Sequence, residues 1–163
     1  MKWQRILSDC CGAAAAEHRF RDNVCVTIPA KSLHRVLSRL KNDAGFDMLI
    51  DITAVDYLDY PDAADRFGVI YCLLDTNSGQ RLIIRVLLNE PELELATAVD
   101  LWRGADWMER EVFDMFGIRF AGHPDLRRIL MPFEFTSYPL RKDYPLKGRG
   151  ERHNFEVITR AES

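Results

Sequence analysis

Long apolar runs are what the sequence most plainly lacks. Stretches such as Val69 to Leu74 fall far short of the ~20 residues that a helix needs to cross a bilayer, so no membrane span is expected. Cysteine is scarce, with four among 163 residues. Cys10 and Cys11 are adjacent, which suits neither a CxxC knuckle nor an iron–sulfur loop, and Cys72 sits in an apolar run as a small core residue would. No metal, cluster or disulfide framework is implied. Charge of one sign is also missing: the net charge of −3 excludes a globally basic nucleic-acid binder. Walker A, HExxH and GxSxG motifs are absent, and Gly148-Arg149-Gly150 is followed by His153 where a dinucleotide loop would want glycine. At the N-terminus, Asp9 and the small residues Cys10 to Ala16 interrupt any apolar signal region, so export is not expected and a cytoplasmic location is.

What is present is ordinary for a globular chain, with 47% hydrophobic and 29% charged residues, at a length that fits one domain plus an appendage. Coiled coils, collagen-like fibres and wholly disordered chains are excluded. After a weakly patterned lead-in over 1–22, which could form one helix, Val24, Val26 and Ile28 alternate as in a short strand ended by Pro29. Leu33, Val36, Leu37, Leu40 and Ala44 then make one helical stripe, with Ser32 as N-cap and Asn42 with Gly45 as the stop. Three further strands are expected. In the first, Met48, Ile50, Ile52 and Ala54 share a face, with Asp47, Asp51 and Thr53 opposite. The second, Phe67 to Leu74, is nearly all apolar and therefore central; the third places Leu82, Ile84, Val86 and Leu88 on one face. The short Asn77-Ser78-Gly79 link makes the last two a hairpin. The fold class that follows is α+β, with helices on a mostly antiparallel four-stranded sheet. A helix over 97–116, with a possible break at Gly104, ends at Gly117, and an extended proline-rich C-terminal arm follows. The domain division is thus 1–117 and 118–163.

That last segment is the informative one. It holds Pro124, Pro132, Pro139 and Pro145, and over 117–153 eight Lys/Arg stand against four acids, leaving +4 there and −7 elsewhere. Disordered tails are poor in aromatics, yet Phe120, Phe133, Phe135, Tyr138 and Tyr144 lie here, with Leu126, Ile129, Leu130, Leu140 and Leu146 beside them. Each such side chain gains about 1.5–3 kcal/mol from burial. Proline denies the segment a helix or a central strand of its own. An extended arm laid on a surface, in part another protein's, satisfies both; folding back on its own domain is the alternative. Just before it, Asp106, Arg110 and Asp114 are spaced for an i, i+4 ion ladder, and Glu111 with Asp114 for an acid pair, although no nucleophile accompanies them. Arg127-Arg128 and Arg141-Lys142 suit phosphates or protein contacts, and His123 before Pro124 reads as a turn residue.

Two blocks carry a family resemblance. The first is Glu109-Arg110-Glu111-Val112-Phe113-Asp114-Met115-Phe116-Gly117-Ile118 with Gly122-His123-Pro124-Asp125-Leu126-Arg127-Arg128-Ile129-Leu130; the second is Pro139-Leu140-Arg141-Lys142-Asp143-Tyr144-Pro145-Leu146. With a weaker block at Asp51 to Tyr57, they resemble the C-type, thirty-kilodalton subunit of respiratory NADH:quinone oxidoreductase (complex I), over most of 30–148. The resemblance implies a structural subunit of the hydrophilic arm with no catalytic residue, metal or cofactor of its own. FMN, Fe-S clusters and quinone would belong to partner subunits, which pass electrons from NADH to quinone and couple this to proton pumping. The implied partners are the large quinone-site (D-type) subunit, the small Fe-S (B-type) subunit and a further Fe-S (I-type) subunit. Nucleic acid is not among them, and the membrane is reached through partners only, on the cytoplasmic face of the inner membrane. An equivalent subunit of a membrane-bound hydrogenase, formate-hydrogenlyase or ferredoxin-linked complex is the alternative. The interface residues implied are Glu109, Arg110, Glu111, Asp114, His123, Asp125, Arg127, Arg128, Tyr138, Arg141, Lys142, Asp143 and Tyr144.

Overall fold

A computed structural model describes residues 2–151. The chain runs α1 (Lys2–Cys11), β1 (Ala16–Phe20), β2 (Asn23–Ile28), α2 (Leu33–Ala44), β3 (Met48–Asp56), β4 (Phe67–Leu74), β5 (Arg81–Leu88), β6 (Glu94–Ala96), α3 (Ala105–Phe116) and β7 (Arg119–Ala121). The α+β class holds, but the sheet has five strands in the order β1-β2-β5-β4-β3 and is mixed, because β2 pairs parallel with β5. The expected mostly antiparallel four-stranded sheet missed β1 and did not foresee the parallel pair. The β1 sequence, Ala-Glu-His-Arg-Phe, is exposed at every position, so it has no buried face to leave a period-2 pattern.

Apolar alternation places the core. Val26 and Ile28, Val69, Tyr71 and Leu73, and Leu82, Ile84 and Val86 join Trp3, Ile6 and Leu7 of α1 and Leu33, Val36, Leu37 and Leu40 of α2 in one cluster. The helix α2 stops at Gly45, whose φ of 90° is left-handed, as its position after the stripe predicts; Ser32 makes no side-chain cap. In β3 the expected face is broken by a bulge between Leu49 and Asp51. The extra residue turns Met48 and Ile50 outwards (46% and 40% exposed) and Leu49 inwards (8%).

Two differences concern the C-terminal third. The helix expected over 97–116 begins only at Ala105, because the preceding backbone is engaged elsewhere. Thr97 N–H donates to the Ala121 carbonyl, which extends the parallel β6–β7 pair, and Ala98 N–H donates to the Glu109 carboxylate. Residues 118–121, assigned by sequence to the arm, enter the core instead: Ile118 is fully buried and Phe120 is 3% exposed.

Beyond them the segment is not an extended rod. It is a run of tight turns, closed by backbone bonds from Phe135 to Pro132, Arg141 to Tyr138, Tyr144 to Arg141 and Gly148 to Pro145. Pro139 holds the second position of the 138–141 turn, where its fixed φ is the one required, while Pro132 and Pro145 open their turns as carbonyl acceptors, a place that needs no N–H.

Candidate functional site

The two motif blocks converge on α3 and the ends of β3, β4 and β5. Asp114 is the hub. Its side chain is fully buried, and Oδ2 accepts the successive backbone N–H groups of Ile129 (3.1 Å), Leu130 (2.7 Å) and Met131 (2.9 Å), while Oδ1 accepts from Arg128 Nη1 (2.7 Å). Burial alone would raise its pKa. The N–H groups of Met131 and Leu130, the Arg128 guanidinium and Ile129 N–H outweigh burial and hold it below the ordinary carboxylate value. Arg128 also donates to the Ser137 carbonyl and lies over the rings of Phe135 and Tyr138. Tyr138 in turn lies under Arg141, whose guanidinium stands 4.7 Å from the ring centroid.

A second hub sits at the end of β3. Asp56, with its side chain fully buried, accepts Lys142 N–H at 2.9 Å and Leu58 N–H at 3.0 Å. Arg66 pairs with Asp143 at 2.8 Å and with Glu90 at 3.0 Å, and Glu90 also takes Arg141 at 2.7 Å. The Arg66 hydrogen bond, ahead of any other influence, keeps Asp143 below its ordinary pKa. Arg141 Nε donates to the Phe116 carbonyl (2.6 Å), one of the groups left over at the end of α3. Gly117 makes this junction possible. Its φ is 78°, and a Cβ there would stand 2.5 Å from Tyr138 Cε2.

A third cluster closes the start of α3. Glu109 is fully buried, and Oε2 lies 2.5 Å from Thr97 Oγ1 while Oε1 accepts Ala98 N–H at 2.6 Å. Burial pushes its pKa up to about 7 against the pull of Thr97 and Ala98, with Asp100 and Asp106 adding repulsion. The His123 side chain is also buried. Nδ1 accepts Asp125 N–H at 3.0 Å, which puts the proton of the neutral ring on Nε2, 3.2 Å from the Asp106 carbonyl and 4.0 Å from Glu109.

These placements sort the residues picked out by sequence. Asp114, Arg128, Tyr138, Arg141 and Asp143 are engaged within the chain, as are Glu109 and His123. Arg110 does not join an ion ladder: it stacks on Trp107 and donates to the Arg127 carbonyl, while both oxygens of Asp114 are taken by the segment opposite. The Glu111–Asp114 acid pair falls too, since Glu111 is exposed and Asp114 is locked as an ionised acceptor. Glu111, Asp125, Arg127 and Lys142 are exposed, the Arg127 side chain by 73% with a local partner in Asp125. Tyr144 packs edge-on against Phe135. Sequence reasoning missed Arg66 and Glu90, since neither stands in a pattern. Leu130, Phe133, Leu140 and Leu146 are 60%, 92%, 52% and 105% exposed. Among the described residues no three metal-type ligands come together, and no helix is long and apolar enough to cross a membrane.

Residues 26–150 match the family described as respiratory-chain NADH dehydrogenase, 30 Kd subunit. Over 130 residues the chain is 48% identical to the C-type subunit of NADH-quinone oxidoreductase from Trichlorobacter lovleyi, covering 80% of this chain and 79% of that one. It is 40% identical over 156 residues to NADH-quinone oxidoreductase subunit 5 of Thermus thermophilus, covering 90% and 73%. Among solved structures, a trypsin-resistant fragment (1–134) of Nqo5 superposes with a TM-score of 0.69 at 36% identity, over 77% of this chain and 100% of that one. A chain of the membrane-bound sulfane sulfur reductase, an archaeal respiratory membrane complex, shares the fold, with a TM-score of 0.73 at 21% identity over 96% and 91%.

Proposed function

The chain belongs to the 30-kDa subunit family of respiratory-chain NADH dehydrogenase, and from that premise we propose that it is the interface subunit of the enzyme's hydrophilic arm. As a relative of the C-type subunits it is part of an NADH:quinone oxidoreductase. Its own contribution is architectural. It packs against the large quinone-site subunit, with the small Fe-S subunit and the I-type Fe-S subunit nearby, and leaves FMN, clusters and quinone to them. It works as a peripheral component on the cytoplasmic face of the membrane.

One observation carries this reading. The segment after residue 117 is pinned through its polar groups to Asp114, Asp56 and Glu90, while Leu130, Phe133, Leu140 and Leu146 project into solvent. A segment folding only for its own domain would spend its apolar side chains on the core and leave charge outside. Here Phe135 is buried and Leu126 and Met131 pack on the core, but those four are left outside on a backbone fastened by polar groups, which suits a preshaped contact surface. The exposed Glu111, Asp125, Arg127 and Lys142 are its polar rim; Glu109, Arg110, Asp114, His123, Arg128, Tyr138, Arg141, Asp143 and Tyr144 act on the interface by holding its shape.

Purification of the tagged full chain from solubilised native membranes, with partners identified by mass, tests the proposal. The large quinone-site subunit should co-purify in equal amount. Recovery of the chain alone, or with subunits of an unrelated complex, would overturn it.

A further inference from the structure

The turns of the C-terminal segment place one kind of side chain at their tips. Phe133 follows Pro132 in the turn closed by Phe135, Leu140 follows Pro139 in the turn closed by Arg141, and Leu146 follows Pro145 in the turn closed by Gly148. Two lysines alternate with them. Lys142 occupies the turn closed by Tyr144, and Lys147 stands beside Leu146. Charge around these tips is unbalanced. Asp143 is taken by Arg66, Asp125 by Arg127, and Glu151 accepts Arg149 N–H. Among the described residues no carboxylate pairs with Lys142 or Lys147, and Glu134 is the one acid of this segment that its neighbours leave unpaired.

We propose that these turn tips, Phe133, Leu140 and Leu146 flanked by Lys142 and Lys147, dock into apolar pockets on an acidic surface of a partner protein. The inference rests on the interface reading above and specifies the chemistry of the partner's face. Charge complementarity selects an acidic surface, because two unpaired lysines would otherwise be desolvated against apolar or basic groups. The separate turn tips select pockets, since a 92% exposed Phe on a fixed turn needs a concave receptor to bury it. An anionic bilayer offers the same sign of charge but fits less well. A bilayer surface has no preformed pockets for Phe133, Leu140 and Leu146, which are held on separate turns and fixed relative to one another.

The test uses the full chain and the large quinone-site subunit, with association followed on a sensor surface. Phe133→Ser should weaken binding by about thirtyfold, the loss expected of a central anchor. The double variant Lys142→Glu, Lys147→Glu should slow association about tenfold and flatten its dependence on salt. Both sites are exposed, so thermal melting of the isolated chain should match the unaltered protein, which separates lost binding from lost folding. Equal binding by all three proteins overturns the inference and leaves the interface reading intact. Absence of binding by the unaltered chain removes both. Capture by phosphatidylglycerol vesicles that is lost with Phe133→Ser, while the large subunit still binds the variant normally, overturns the protein partner in favour of the membrane.

Discussion

Between Val24 and Leu88 the chain is held by apolar side chains meeting across strands and helices, with Val69, Ile84 and Val86 wholly buried. Between Gly122 and Gly148 it is held by carboxylates and guanidinium groups reaching backbone atoms, and several of its largest apolar side chains are left in water. Hydrophobic burial is non-directional and tolerates many sequences. A buried carboxylate bonded to three successive N–H groups fixes one backbone path and no other. The second means of attachment gives a surface of defined shape that keeps its apolar groups available.

That contrast can be broken most strongly at Asp114. Asp114→Ala leaves three N–H groups and the Arg128 charge without their acceptor, a loss of about 3–5 kcal/mol for a buried pair. Hydrogen exchange should become fast over 128–144, while amides of β4 and β5 stay protected. If the strands lost protection in parallel, the two regions would be one cooperative unit.

The next effect is a pH dependence. Glu109 ionises near 4.5 in the unfolded chain and at about 7 when folded, so the folded state holds an extra proton between these values. Stability therefore falls as pH rises from about 4.5 to 7, by up to about 3 kcal/mol in all, and stays reduced above. Asp114 and Asp143, held below the ordinary value of 3.8, act in the opposite direction: their contribution is present above that pH and is lost as pH falls below it. Urea melts from pH 3 to pH 8 should peak near pH 4.5, and Glu109→Gln should remove the decline on the alkaline side.

Gly117→Ala comes third. It places a Cβ in the left-handed region, at about 1–2 kcal/mol, and against the Tyr138 ring. Lowered melting should be accompanied by a changed near-ultraviolet tyrosine signal. Arg127→Ala is the smallest, under about 0.5 kcal/mol, because that pair with Asp125 lies in solvent. A larger loss would mean that Arg127 is part of the fastening rather than of the rim.

Legibility differed between the regions for a physical reason. The stripe from Leu33 to Ala44 and the alternation from Leu82 to Leu88 report directly on which face meets the core, so α2 and β5 were readable. The exposed β1 and the bulge in β3 leave no such trace. Within the candidate site the residue types were evident, since Asp114, Arg128 and Arg141 stand in two dense blocks, but their partners were not. Arg66 and Glu90 join the network from positions 75 and 51 residues before Arg141 in the chain.

Local patterning along the chain thus determined the helix α2, the three central strands and the left-handed stop at Gly117, because each depends on neighbours a few positions away. Tertiary structure alone decided the parallel pairing of β2 with β5, the turn-by-turn path after Ala121, and which carboxylate each arginine meets. Those outcomes rest on groups tens of residues apart, and the free energy of a buried charge depends on where its counter-charge is brought, which no single stretch of sequence records.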